Sequence, residues 1–261
     1  MKPLGTLALH APLPWALLLN YLAPRRVPGI EQVDADSYTR RIGQGAVRAR
    51  LHADADRLLI DADVPLAVSE VAARLTRLFA LDEDHAPARR HLRRSAALRP
   101  RIARTPGLRP LGCWDPFELC VRTVLGQQVT VAAAATLMGR FVDRCGEITP
   151  ARVLGADLSN MGMPGRRVET VRSLAAAIVD GRLRFDAGWP EIDAALRALP
   201  GFGPWTRQYL AIRLGREADA FPESDVGLIR AAGAASPREL LQMAEAWRPY
   251  RSLAAIYLWA G

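Results

Sequence analysis

One stretch restricts the fold more than any other: Leu199-Pro200-Gly201-Phe202-Gly203-Pro204-Trp205-Thr206. Two glycines flank one apolar residue in a tight turn. Only glycine takes positive φ cheaply and lets a backbone pass close to another body. Pro204 suits the first turn of a helix, where a missing N–H costs nothing. Behind it, Tyr209, Leu210, Ile212, Arg213 and Leu214 make a mixed helical face that ends near Gly215. The segment from Glu191 to Ala198 reads as the helix entering the turn. Unpaired backbone N–H groups at a helix N-terminus make a ready phosphate site. Beyond the Phe221-Pro222 turn, Asp225 opens the next helix.

The first ~80 residues follow a different pattern. Gly5 to His10 reads as a short strand, and Pro14 starts a helix that runs to Leu22. From Val33 to Asp61 the period is two. Val47, Ala49 and Leu51 fall on one face of a strand, with Arg48, Arg50 and His52 on the other. Arg57 to Ala62 is its antiparallel partner across the Ala53–Asp56 turn. Leu66 to Leu81 reads as a helix whose stripe is Val68, Val71, Leu75, Leu78 and Phe79. The fold class is therefore α+β: a small antiparallel sheet with helices, then a helical part. The expected division is residues 1–100 and residues 101–261.

Between them, Arg89 to Pro110 is rich in Arg and broken by Pro100, Pro106 and Pro110. It reads as a connection, partly helical at its start. A solvated charged surface and a DNA contact explain it equally. After Gly112 the pattern is helical throughout. Asp115-Pro116-Phe117-Glu118 combines a cap, Pro at the first position and Glu three after the cap. Gly126 ends that helix. Gln127-Gln128-Val129-Thr130 begins an Ala-rich helix to about Arg144. Val168, Val171, Leu174, Ala175 and Ile178 stripe another, closed by Gly181. Ser236-Pro237 opens a further helix, and the last runs from about Tyr250 to Trp259.

Charge and cysteine content narrow the chemistry. The net charge is +8 over 261 residues, which fits an anionic partner. Lys2 is the only lysine, so the basic character is almost all arginine. Cys113, Cys120 and Cys145 have no Cys-x-x-Cys pairing and read as reduced, buried thiols. They are too few for an iron–sulfur cluster. His10, His52, His85 and His91 show no zinc spacing. No charged-then-apolar leader and no membrane-length apolar run occur, so the expected location is the cytoplasm.

The hairpin with its downstream Asp225 resembles the helix–hairpin–helix signature of DNA base-excision glycosylases. Over nearly the whole chain the resemblance is to the alkylpurine subfamily, the 3-methyladenine DNA glycosylase II type. Further segments carry it: Leu125-Gly126-Gln127-Gln128-Val129, Met161-Gly162-Met163-Pro164 before Arg166-Arg167, Trp247 to Ser252, and Leu258-Trp259. Trp15 and Tyr21 resemble positions of the family's accessory sheet domain. The resemblance implies an active site in the cleft between that domain and an all-helical domain carrying the hairpin motif at 199–214.

It also implies a division of labour. Asp225 would be catalytic, stabilising oxocarbenium character on the sugar and orienting water. Trp205, Tyr209, Trp259 and Tyr21 would shelve the flipped base, with aromatic faces that favour a cationic alkylpurine. Gln128 would be the wedge that fills the vacated stack, beside Gln127. Gly201, Gly203 and Thr206 would hold phosphate. Bifunctional relatives have a Schiff-base lysine where Trp205 stands, so the implied enzyme is monofunctional and leaves an abasic site. The implied partner is double-stranded DNA with alkylated bases, bound by a monomer without cofactor, metal or membrane. Two alternatives stay open: a mismatch or oxidised-base glycosylase of the same superfamily, and a non-catalytic helix–hairpin–helix DNA-binding module.

Overall fold

The structure, a computed structural model, describes residues 1–9, 12–64 and 67–261. His10 and Leu66, expected at a strand end and a helix start, lie outside the described residues. Five strands form one antiparallel sheet: β1 (Lys2–Ala8), β2 (Glu31–Val33), β3 (Ser37–Ile42), β4 (Gly45–Leu51) and β5 (Arg57–Ala62). Their order is β1-β5-β4-β3-β2. The expected alternation is present. Val47 and Ala49 pair with Ala62 and Ile60, and all four are buried. Arg50 on the opposite face pairs with Asp61 at 2.8 Å. The apolar face packs on α1 (Trp15–Leu22) and α2 (Val68–Phe79), with Trp15, Tyr38 and Phe79 in aromatic contact. Val68 departs from its expected stripe. It is the first residue of α2 and 43% exposed, because the helix starts there with only its next turns over the sheet.

The rest is helical: α3 (Ala86–Leu92), α4 (Arg99–Arg104), α5 (Pro116–Leu125), α6 (Val131–Cys145), α7 (Pro150–Gly155), α8 (Gly165–Val179), α9 (Trp189–Arg197), α10 (Pro204–Arg213), α11 (Val226–Ala232), α12 (Pro237–Ala244) and α13 (Arg251–Trp259). Helix starts follow the capping logic. Asp115, Thr130, Thr149, Asp225 and Ser236 each accept a backbone N–H three residues on. Thr130 is a cap, so Gln127 to Thr130 form a loop and not the first turn of α6. The Arg-rich segment holds α3 and α4. Ala88 and Leu92 of α3, Ile102 of α4 and Leu98 just before it join a core with Leu228, Leu240, Trp247 and most of α13. A second core gathers α5, α6, α8, α9 and the hairpin. The three cysteines are free and buried, and burial pushes the Cys113 thiol up to about 12.

His85, at the start of α3, is buried, and burial together with Arg109 and Arg89 pushes its imidazole down to about 4. Its unfolded value is near 6.5. As pH falls below that value, the unfolded chain takes up a proton that the folded chain refuses. Stability therefore drops between pH 6.5 and 4, by at most about 2 kcal/mol from 6.5 to 5. Urea unfolding of the native protein and His85→Gln at pH 7 and 5 checks this. The variant should lose less stability over that interval, and equal losses would remove His85 as the cause.

Candidate active site

Helix α10 lies between two cores, and this decides what faces the cleft. Leu210 and Leu214 enter the core with α5 and α8, while Ala211 and Ile212 enter the core with α13. Trp205, Tyr209 and Arg213, spaced by four, form the remaining stripe. Trp205 and Tyr209 are stacked at 5.3 Å with an interplanar angle of 9°, and Tyr209 meets Trp259 edge-on at 5.9 Å. Tyr21 from α1, Asp225, Trp259, Arg25 and Arg122 complete a cleft of about 430 Å³ between the sheet part and the helices. All five residues expected at the catalytic centre and its aromatic shelf are thus together.

Asp225 caps α11 and is held from three sides. Its Oδ1 accepts from Leu228 N at 2.9 Å and from Trp259 Nε1 at 3.0 Å, while Oδ2 accepts from Trp205 Nε1 at 2.8 Å. A carboxylate has about four acceptor positions. Three are filled, and the fourth is on Oδ2. The two indoles therefore position the carboxylate as well as walling the cleft. Gly227 permits this approach, since a Cβ there would sit 3.0 Å from Asp225 Oδ1 and 3.7 Å from Trp259 Cδ1. The loop before Asp225 is fixed to α13: Ser252 N donates to Ala218 O, Ser252 Oγ donates to Glu217 O, and Asp219 pairs with Arg251. Asp225 is the only carboxylate among the described residues lining the cleft.

Three guanidinium groups share the cleft with it, and the sequence reading assigned none of them to the site. Arg25 lies 4.1 Å over the Tyr21 ring. Arg122 donates to Arg25 O at 2.5 Å. Arg213 is 5% exposed, donates to Leu111 O at 3.0 Å and bonds the Tyr21 hydroxyl through Nη2. Burial lifts the Tyr21 hydroxyl, with Arg213 opposing. Tyr209 is also desolvated, yet Arg213 and Arg122 hold it below its usual range. The aromatic faces are thus partly engaged by the protein's own cations, so their attraction for a cationic base is not theirs alone to give. The available signal for Arg213 was an arginine four residues past Tyr209, directly after the apolar run Leu210-Ala211-Ile212.

At the hairpin, Gly201 has φ +81° and a Cβ there would strike Thr170 Oγ1 at 2.7 Å. Gly203 takes an ordinary φ of −66° and faces open space. Gln127 Nε2 donates to Gly201 O at 2.9 Å and to Thr206 Oγ1 at 3.2 Å, which ties the 126–130 loop to the hairpin. Thr206 is buried, so its hydroxyl serves this tie. Gln128 is exposed at φ 58°, a conformation rare outside glycine. Val129 and Val131, both exposed, line the cleft beside it. The described residues able to group around a metal, His52, Asp54 and Asp56, are at the β4–β5 turn, and none lines the cleft.

Residues 5–115 match the AlkA N-terminal domain, and residues 121–238 match the HhH-GPD superfamily of base excision DNA repair proteins. The chain is 32% identical to DNA-3-methyladenine glycosylase 2 of Escherichia coli, covering 97% of this chain and 96% of that one. It is 35% identical to a probable bifunctional transcriptional activator/DNA repair enzyme AlkA of Mycobacterium tuberculosis, over 98% of this chain but only 57% of the relative's length. Its fold is shared with the 3-methyladenine DNA glycosylase from Archaeoglobus fulgidus, at a TM-score of 0.85 and 19% identity over 98% of this chain and 97% of that one.

Proposed function

We propose, since this chain belongs to the family of DNA-3-methyladenine glycosylase 2 within the HhH-GPD superfamily, that it excises alkylated purines from duplex DNA as a monofunctional glycosylase. The observation that carries this reading is the Asp225 carboxylate, fixed by Trp205 and Trp259 in an aromatic cleft with one acceptor position left on Oδ2. A nucleotide flipped from the stack brings its base against the Trp205–Tyr209 face and its sugar towards Asp225. As the glycosidic bond breaks, its electron pair leaves with the base and positive character grows on the sugar. The carboxylate stabilises that charge and orients the water that adds to C1′. No cofactor or metal enters the reaction.

Water is the nucleophile because no amine is at hand. Trp205 offers only an indole N–H, the cleft's arginines stay protonated, and Lys2 is on the edge strand β1. The test is a dimethyl-sulfate-treated duplex incubated with highly purified protein. Released 3-methyladenine and 7-methylguanine, with strands that break only after alkali and no complex trapped by borohydride, support the reading. Absence of base release refutes it, and a trapped complex refutes the monofunctional part.

The alternative of a non-catalytic DNA-binding module leaves the Asp225–tryptophan arrangement without a use. Binding itself is assigned to the open face of the hairpin, with Gly201 and Gly203 lending backbone N–H groups to phosphate and Gln128 acting as the wedge. Gly203→Val should lower the thermal midpoint only slightly, through a weaker helix cap, since nothing lies within 4 Å of a Cβ there. It should weaken binding to damaged and undamaged duplex by the same factor, on the order of tenfold. Gly201→Val, by contrast, should cost stability. Affinity should also fall steeply with salt. Fluorescence anisotropy at two salt concentrations reads both effects, and undiminished binding by Gly203→Val would move the phosphate contact elsewhere.

A further inference from the structure

We propose that Arg213 is the specificity-determining residue of the cleft, and that it favours a flipped purine bearing a carbonyl oxygen at C6 over one bearing an amino group there. The proposal rests on the base-excision reading of the same cleft. Arg213 follows Trp205 and Tyr209 on the stripe of α10 that lines the cleft. Its Cζ is 4.9 Å from the Tyr21 ring centroid, 5.4 Å from Tyr209 and 5.7 Å from Trp259. The charge therefore sits among the rings that take the base.

A guanidinium carries five N–H donors and no acceptor, and it stays charged. Here two donors are used, on Leu111 O and the Tyr21 hydroxyl, and Nε is buried without a partner. The guanidinium lines the cleft, so a base oxygen brought within reach of its remaining donors is rewarded. A 6-oxo purine places an acceptor at C6, whereas a 6-amino purine turns a donor towards a donor-only group. The like charge of Arg213 opposes cationic adducts of either kind equally, so between two cationic bases the group at C6 decides. Asp225 stabilises the sugar of every substrate alike, so it cannot supply this discrimination. Tyr21 and Tyr209 each present one hydroxyl, which both donates and accepts.

The experiment measures release of 7-methylguanine and 3-methyladenine, both cationic but differing at C6, from one methylated duplex. Native protein and the variants Arg213→Met and Arg213→Lys are compared as ratios of kcat/KM. The 7-methylguanine to 3-methyladenine ratio should fall about tenfold in Arg213→Met, with Arg213→Lys between. A purely structural role lowers both rates and leaves the ratio fixed, and that result overturns the proposal. Should Arg213→Met fail to fold, inhibition of the native protein by free bases decides. Free guanine should inhibit more strongly than free adenine, and equal inhibition overturns the proposal. Native protein that releases neither base refutes the base-excision reading instead, so the two failures are distinct.

Discussion

Replacing Asp225 by Asn should lower base release by at least about a thousandfold while DNA binding persists. The hydrogen bonds explain why so small a change is severe. Asp225 uses both oxygens as acceptors, for Leu228 N and Trp259 Nε1 on one and Trp205 Nε1 on the other. An amide keeps one acceptor oxygen, and its NH2 cannot accept from the remaining indole. On the proposed mechanism the substitution removes the charge assigned to the developing oxocarbenium, and it also turns one indole away. Helix α11 survives, because Asn caps as well as Asp. Single-turnover base release reads the chemistry and anisotropy reads the binding. To separate the two causes, Trp205→Phe removes the competing donor and keeps an aromatic ring. If lost charge is decisive, Asp225→Asn combined with Trp205→Phe stays as inactive as Asp225→Asn alone. Release within tenfold of the native rate by Asp225→Asn would end the assignment.

Those same contacts show what the sequence could and could not reveal. Spacing and turn chemistry are local, so the hairpin and the capped start of α11 were legible in advance, while the pairing of Trp205 with Tyr209 came from the family resemblance. The N-terminal hairpin of β4 and β5 was legible for the same reason, from its period of two. What the indoles do was not. A tryptophan at helical spacing reads as shelf or core, and its N–H finds Asp225 only once α10, α11 and α13 have packed. The arginines stayed hidden because charge on a helix normally signals solvent, while α10 is squeezed between two cores and sends Arg213 inward. Gln127 misled in the opposite sense. The family resemblance puts it beside the wedge Gln128, yet its carboxamide nitrogen is spent on Gly201 O and Thr206 Oγ1. Helix α7, a single short helix of six residues, left no periodic signal to read.

Glu118 was misjudged for a similar reason, and it yields the largest expected stability change. Three residues after the Asp115 cap, it reads as the returning acid of a capping box. Asp115 does accept from Glu118 N at 2.9 Å, but the Glu118 carboxylate goes to Arg40, on β3. Arg40 also pairs with Glu31 at 3.1 Å, and Tyr38 donates to Glu31 at 2.7 Å. Glu31, Arg40 and Glu118 are all buried, and with Arg122 they make two acids against two arginines. Such a network contributes little net energy when whole, but removing one member strands a buried charge, at a cost of about 3–5 kcal/mol. Glu118→Gln should therefore lower the unfolding free energy by roughly that amount in urea titrations. Arg40→Met together with Glu118→Met should recover most of the loss, since the charges leave as a pair. The pair joins the sheet to α5, and both carry cleft residues close by: Arg122 on α5 itself, Tyr21 and Arg25 just ahead of β2. Base release by Glu118→Gln should consequently lose heat tolerance before it loses its rate at low temperature. A loss under about 1 kcal/mol would mean that Arg40 finds water or Glu31 sufficient, and that the sheet is held to the helices by apolar packing alone.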